Sequence, residues 1–117
     1  MIPLTPLSYH ILLALADEDR HGYAILKEVL AQSQGGLQPG TGALYTSIQR
    51  LVDEGHIEVA TRRANPGDDP RRRYYRLTDE GRSALATETG RLTELLSVAR
   101  RKRVLTPLRP ATTRARS

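Results

Sequence analysis

The residues best suited to bind another molecule form a run of arginines and tyrosines, RRRYYR, at positions 71–76. Three adjacent arginines repel one another and contribute little to a hydrophobic core, so their guanidinium groups must face water or a partner. A guanidinium group stays protonated and donates hydrogen bonds in a fork that matches phosphate and carboxylate oxygens. The run therefore indicates an anion-binding surface, and it lies between the turn-forming segment NPGDDP and the helix-start segment LTDEG.

The charge of the chain is unevenly distributed. Residues 1–61 carry a net charge of −4 and residues 62–117 a net charge of +9, within a total of +5. The basic excess lies in two blocks, from Arg62 to Arg76 and from Arg100 to the C-terminus. This asymmetry indicates a polyanion on one side of the molecule, although arginines that only solvate the surface explain the composition equally well.

Patterns typical of catalysis, metal binding and membrane insertion are absent from the sequence. The chain has no cysteine, and His10, His21 and His56 are not spaced with carboxylates as metal ligands. No serine lies in a glycine elbow, and the glycine-rich GGLQPGTG lacks the lysine of a phosphate-binding loop. The apolar stretch ILLALA is too short to span a bilayer and lacks the flanks of a signal peptide. We therefore expect a cytoplasmic protein that is not an enzyme and has no cofactor, metal site or membrane contact.

Three amphipathic helices are predicted in the first half of the chain. Thr5 can cap the first, with Pro6 at its first helical position. The second runs from about Gly22 to Gln34 and ends at a glycine pair. Thr41 is the predicted N-cap of the third, and Gly55 ends it. The apolar face of this third helix holds Leu44, Ile48, Leu51 and Val52 at helical spacing.

A two-stranded hairpin and a long helix follow. Ile57 and Val59 alternate with polar residues on the first strand, and Tyr75 and Leu77, which we assign to the core, do so on the second. Thr78 is the predicted cap of the last helix. A narrow stripe along this helix consists of Leu85, Leu92, Leu95, Leu96 and Ala99. The element order predicts a mostly α fold with a small β-hairpin, a winged helix-turn-helix of three helices and a two-stranded wing.

We divide the chain into three parts: a winged helix-turn-helix DNA-binding domain at 1–78, a C-terminal dimerisation helix at 79–104 and a disordered basic tail at 105–117. The three helices and hairpin already close a small core, so the stripe of the last helix is predicted to pack against a second copy. A two-fold dimer places two recognition helices about one DNA turn apart. The basic tail is open to three interpretations: a match to the helix dipole, a nonspecific DNA arm, or a segment without a role.

The polar face of the third helix is predicted to enter the major groove of DNA. Gln can pair bidentately with adenine and Arg with guanine, so Gln49 and Arg50 are the base-reading candidates. Thr41 and Thr46 are expected to reach phosphates, and Tyr45, at the boundary of two faces, to pack its ring inward and give its hydroxyl to phosphate. The predicted DNA-facing residues are Thr41, Gly42, Tyr45, Thr46, Gln49 and Arg50 on the helix and Arg71, Arg72, Arg73 and Tyr74 on the wing.

Two residues at the start of the second helix have alternative interpretations. His21 and Tyr23 are expected to cap and pack this helix. The alternative is that they line a pocket for a small-molecule effector.

The sequence resembles the PadR family of bacterial transcriptional regulators. The likeness rests on three segments in the family's order, LSYHILLALADEDRHGYAI from Leu7, GTGALYTSIQRLVDEGHIE from Gly40 and RRRYYRLTDEG from Arg71. The resemblance implies a homodimer whose C-terminal helix packs against the partner and its first helix. It also implies binding to an inverted-repeat operator, repression of neighbouring genes and, for some members, a small aromatic or drug-like effector near the dimer interface.

Two features depart from the family pattern. Ala43 stands where the family usually has threonine, which removes one hydroxyl at the start of the recognition helix. A single C-terminal helix places this chain with the shorter members.

From the predicted fold and the resemblance together, we expect a sequence-specific, dimeric DNA-binding transcriptional regulator, a repressor at an inverted-repeat operator that a small-molecule effector releases. The alternative is a winged-helix protein-interaction or architectural module without a specific operator.

Overall fold

The computed structural model describes residues 4–60 and 72–105. Its elements in chain order are α1 (Pro6–Ala14), β1 (Arg20–His21), α2 (Gly22–Gln32), α3 (Thr41–Asp53), β2 (Ile57–Ala60), β3 (Tyr74–Leu77) and α4 (Asp79–Arg101). The predicted mostly α, winged helix fold is confirmed. Arg71, the tip of the wing and the tail beyond Leu105 lie outside the described residues.

The sheet has three antiparallel strands rather than the two of the predicted hairpin, in the order β1–β3–β2. In the wing, Ile57 of β2 lies opposite Leu77 of β3. The additional strand β1 places His21 opposite Tyr74 on the other edge of β3. A strand of two residues is too short to show alternation, so no sequence pattern indicated it. Its consequence is that the start of α2 is tied directly to the base of the wing.

Side-chain caps define the beginnings of α1 and α4 as predicted. The Thr5 side chain accepts a hydrogen bond from the Ser8 backbone N–H over 3.1 Å. The Thr78 side chain accepts from the Gly81 N–H over 2.9 Å. The predicted cap of α3 is wrong. Gly40 is its N-cap, in extended backbone and without a side-chain cap hydrogen bond, and Thr41 is already helical.

The core lies between the three N-terminal helices, the inner face of the sheet and the first half of α4. Tyr75 and Leu77 are buried, which confirms their assignment to the core. Val59 is 45% exposed, although it alternates with polar residues in the same way as the buried Ile57. The alternation therefore did not show whether Val59 is buried. The core cluster consists of Ile11, Leu12, Ala14, Leu15, Ile25, Val29, Leu44, Ile48, Leu51, Ile57, Tyr75, Leu77 and Leu85.

The first half of α4 belongs to this core, which corrects one predicted dimer contact. Leu85 is 7% exposed and packs in the core cluster of its own chain, so it is not available to a partner. The helix is anchored at its start, where the Thr78 hydroxyl donates to the Gly55 carbonyl oxygen over 2.6 Å. At Gly81 the helix passes so close to the residue before β2 that an added Cβ would overlap the carbonyl oxygen of His56.

This close approach predicts opposite effects for the same substitution at two positions of α4. Gly81→Ala should lower the free energy of unfolding by about 1–3 kcal/mol, because backbone atoms must move apart to admit the methyl group. Gly90→Ala should raise it by roughly 0.5–1 kcal/mol, because nothing lies within 4 Å of its added Cβ and alanine is the better helix former. Urea unfolding followed by circular dichroism measures both. Equal effects at the two glycines would contradict the close approach.

Candidate nucleic-acid interface

Helix α3 buries one face and exposes the other. Leu44, Ile48 and Leu51 are each 1% exposed and pack in the core. The residues predicted to face DNA lie on the solvent side of the helix: Thr41, Gly42, Tyr45, Thr46, Gln49 and Arg50. The structure therefore brings the six candidates of the recognition helix together on one surface. Arg50 makes no ion pair with any residue in the described part of the chain.

The amide of Gln49 is oriented by a neighbouring carboxylate. Its Nε2 donates to Asp53 Oδ1 over 3.0 Å, one helical turn away. Since an ionised carboxylate only accepts, the amide must turn its nitrogen toward Asp53 and leave its oxygen for another donor. In this conformation Gln49 suits the exocyclic amine of adenine or cytosine. The bidentate contact to adenine predicted from the sequence requires the NH₂ group to leave Asp53.

The arginines of the wing differ in what they contact. Arg76 lies opposite Glu58 across the β2–β3 pair, and its Nε is 3.0 Å from the Glu58 carboxylate. Asp19 is a second acidic neighbour at 3.9 Å. Arg72 and Arg73 are exposed just before β3, and no residue of the described ranges forms an ion pair with Arg73. The wing charge available to a partner therefore comes from Arg72 and Arg73, within the described residues, rather than from Arg76.

The start of α2 completes this side of the molecule. His21 is the N-cap of α2, as predicted, and its Nδ1 accepts from the Ala24 backbone N–H over 3.2 Å. The Tyr74 ring packs edge to face against the His21 ring, with the two ring centroids 5.3 Å apart. Tyr23, predicted to pack the start of α2, does not lie in the core. It is 57% exposed, and the ammonium of Lys27 lies 5.6 Å from the centre of its ring.

A cavity of about 440 Å³ lies where α2, α3 and β3 meet; we call it the wing-base cavity. Its lining consists of His21, Gly22, Tyr23, Tyr45, Arg72, Arg73 and Tyr75. The Tyr45 ring lies directly on Gly22, where any side chain would overlap its hydroxyl and ring atoms. Sequence reasoning missed this role of Gly22, because the two residues are far apart in the chain and no local pattern links them.

The second half of α4 carries an exposed apolar stripe. Leu92, Leu95 and Leu96 are 37%, 55% and 42% exposed, and Ala99 is half-buried. Beside the stripe, a cavity of about 340 Å³ lies between α1 and α4; we call it the α1–α4 cavity. It is lined by Leu4, Pro6, Tyr9, His10, Glu88, Arg91 and Leu92.

A buried carboxylate and its arginine partner form part of the wall of the α1–α4 cavity. Glu88 is 6% exposed, and Arg91 Nε donates to its Oε1 over 3.1 Å. The hydrogen bonds from Arg91 hold the pKa of Glu88 below its usual value, and Glu88 raises the pKa of Arg91. Both groups are charged and face each other, so the wall offers little net charge to a ligand.

The part of the chain that the structure describes holds neither a metal cluster nor a membrane span. No group of three or more His, Cys, Asp or Glu side chains there could hold a metal ion. None of the helices in residues 4–60 and 72–105 is long and apolar enough to cross a membrane.

The fold and the exposed face of α3 define a winged helix-turn-helix protein of the nucleic-acid-binding type. The model of the transcriptional regulator PadR-like family matches residues 11–87. The chain belongs to this family, whose members are DNA-binding transcriptional regulators and not enzymes.

Several known proteins are similar to this chain over 65% or more of its length. Uncharacterized protein X of Lysinibacillus sphaericus is 32% identical over 76 residues, which cover 65% of this chain and 68% of that protein. A transcriptional regulator from Clostridium thermocellum is 25% identical with a TM-score of 0.67, over 81% of this chain and 87% of that one. Bacillus subtilis PadR in complex with operator DNA is 26% identical with a TM-score of 0.60, over 71% of this chain and 46% of that one.

Proposed function

We propose that this protein is a homodimeric, sequence-specific DNA-binding repressor that acts in the cytoplasm at an inverted-repeat operator. The observation that carries the proposal is the solvent-facing polar surface of α3, which lies beside Arg72 and Arg73 of the wing. A helix that exposes hydrogen-bonding side chains next to a basic strand can read base edges and contact the backbone at once. The operator complex of the similar Bacillus subtilis PadR supports DNA as the partner.

Within this proposal, the residues of α3 have different roles in binding DNA. Gln49 and Arg50 read base edges, and Thr41 and Thr46 donate to phosphates. The wing residues Arg71, Arg72, Arg73 and Tyr74 contact the sugar–phosphate backbone, as the sequence predicts. Arg76 is not included, because Glu58 neutralises it within the molecule.

Gly42 has a separate role in the proposal. It lies in the first turn of α3, where no atom within 4 Å would meet an added Cβ. Glycine weakens a helix relative to alanine, and nothing in the described part of the chain requires it here. In the proposal, the absence of a side chain at Gly42 allows the DNA backbone to approach α3 closely.

The role of Gly42 predicts a separation of stability from binding. Gly42→Ala should raise the free energy of unfolding by up to about 1 kcal/mol and weaken DNA binding several-fold, since the new methyl group keeps the backbone away. Thermal melting and fluorescence anisotropy on one duplex measure the two effects. Unchanged affinity in the stabilised variant would remove Gly42 from the interface.

The dimer is proposed to form through the exposed stripe of α4. Leu92, Leu95 and Leu96 are too exposed to serve the core of their own chain, and Ala99 continues the same face. Burying this face against a second copy and its α1 removes apolar surface from water. A two-fold axis then sets the spacing of two α3 helices on DNA, which is why an inverted repeat is the proposed operator.

A small-molecule effector is proposed to bind in the α1–α4 cavity. This cavity borders Leu92, so a bound ligand would change how α4 meets the partner chain. Because Glu88 and Arg91 neutralise each other, a neutral, largely apolar molecule fits better than an ion. Such a ligand would release the repressor by changing the separation of the two recognition helices.

Selection from a random-sequence duplex library tests the proposed function even when the operator is unknown. The wild-type protein should enrich an inverted repeat, and Gln49→Ala should relax one position in each half of it. Enrichment of a single half-site would contradict the dimeric arrangement. Failure to enrich any sequence, with salt-independent binding to a protein, would favour the protein-interaction module instead.

A further inference from the structure

Helix α3 ends in a carboxylate that favours neither the helix nor DNA binding in general. Asp53 is its last residue, where the carbonyl end of a helix dipole favours cations rather than anions. Asp53 is exposed and forms no ion pair with any residue in the described ranges. A negative charge beside the proposed DNA surface also repels phosphates. An acid at this position therefore needs another explanation.

The side-chain contact that Asp53 makes is with Gln49. Asp53 Oδ1 accepts a hydrogen bond from Gln49 Nε2 over 3.0 Å, and both exposed side chains lie on the same face of α3. The carboxylate attracts the NH₂ end of the amide and repels its oxygen. Asp53 therefore determines which end of the Gln49 amide is held back and which end is presented to a partner.

The exocyclic groups of the bases in the major groove fall into two classes. Adenine N6 and cytosine N4 are amines that donate hydrogen bonds, whereas guanine O6 and thymine O4 only accept them. An amide oxygen pairs with either amine, but it meets guanine O6 or thymine O4 with no hydrogen between the two oxygens. An amide that is free to turn can present its NH₂ group to those oxygens instead. Fixing the amide therefore makes it selective for one class of base.

We propose that Asp53 is a positioning residue for sequence readout, which holds the Gln49 amide so that it selects adenine or cytosine against guanine or thymine. This inference rests on the proposed DNA-binding function and adds Asp53 to the residues that determine its specificity. Asp53 acts through Gln49 and does not itself contact the base. Its charge lowers affinity for every duplex alike, so its contribution is to discrimination between bases.

Four duplexes measure this role. They carry the sequence that the wild-type protein enriches from a random library, with each base in turn at the position whose preference Gln49→Ala removes. Wild type should bind the adenine and cytosine duplexes about tenfold more tightly than the guanine and thymine duplexes. Asp53→Ala should bind all four within about threefold, since the freed amide turns to suit each base. The position read by Arg50 should keep its preference.

Glu54→Ala is the matched control for the loss of an acid. It removes the same charge from the next residue, whose carboxylate lies 3.6 Å from His56 Nδ1. This variant should keep the wild-type discrimination between the two classes of base. Asp53→Ala should melt no lower than wild type, because an acid leaves the carbonyl end of a helix. An altered base preference in a fully folded variant is then an effect on readout.

A double variant tests whether Asp53 acts through Gln49. In the Gln49→Ala background, Asp53→Ala should leave the affinity ratios among the four duplexes unchanged. A change there would mean that Asp53 contacts the base itself, which overturns the positioning role. If Asp53→Ala alone keeps the wild-type discrimination, the inference is wrong and the DNA-binding function stands. If wild type enriches no sequence from the library, the proposed readout and this inference fail together.

Discussion

Leu95→Glu is expected to convert the protein into a monomer that no longer holds its operator. Leu95 is 55% exposed on α4, so a charged side chain is tolerated by the isolated chain. In a dimer the same carboxylate would be buried in an apolar interface without a partner, which is strongly unfavourable. Linked half-sites raise overall affinity by about 10²–10⁴, and this gain disappears when the two chains separate. Operator affinity should fall by that factor.

Sedimentation equilibrium and operator titration measure the two consequences of Leu95→Glu together. Ser97→Glu is the matched control, because it introduces the same charge on the opposite side of α4, one turn before Arg101. The control should remain dimeric and bind as wild type does. A Leu95→Glu protein that stays dimeric with full affinity would show that the leucine stripe is not the interface.

Arg50→Ala is the second substitution with a large expected effect. Arg50 is exposed near the middle of the outward face of α3 and forms no ion pair with any residue of 4–60 or 72–105. A bidentate contact from arginine to guanine contributes about 1–3 kcal/mol of discrimination between base pairs. Its loss should weaken operator binding by roughly 5–150-fold and relax the preference at one position in each half-site.

The specific effect of Arg50→Ala is separated from a general loss of charge by measuring two duplexes. On random DNA the variant should lose far less affinity than on the operator, because only base readout is removed. Arg72→Gln provides the opposite pattern, with similar losses on both duplexes. Equal losses for Arg50→Ala on operator and random DNA would assign Arg50 to the backbone instead of to a base.

The parts of the fold with strong local signals were predictable from the sequence. Apolar spacing located the helices, and Thr5 and Thr78 marked two of their beginnings because a side-chain cap depends only on nearby residues. The outward face of α3 followed from the same spacing. Thr41 was misassigned because Gly40, one residue earlier, already has the extended backbone of an N-cap, and glycine carries no side-chain signal.

Features that depend on distant contacts were not predictable. The short strand β1 exists because β3 offers it an edge, and two residues cannot show a period. Leu85 belongs to the same helical stripe as Leu92, yet only Leu85 reaches the core, since α4 extends beyond the rest of the domain. The pairing of Arg76 with Glu58 required the strand register, and the fit of Tyr45 on Gly22 required the packing of α2 against α3.

Titration of the protein against the intergenic DNA upstream of its own gene, with random DNA as competitor, tests the central claim most directly. Two salt concentrations separate backbone contacts from base readout. A dimeric, sequence-specific regulator should form a complex that survives the competitor and contains two chains per site. A complex that the competitor abolishes at both salt concentrations would contradict a sequence-specific regulator of this promoter.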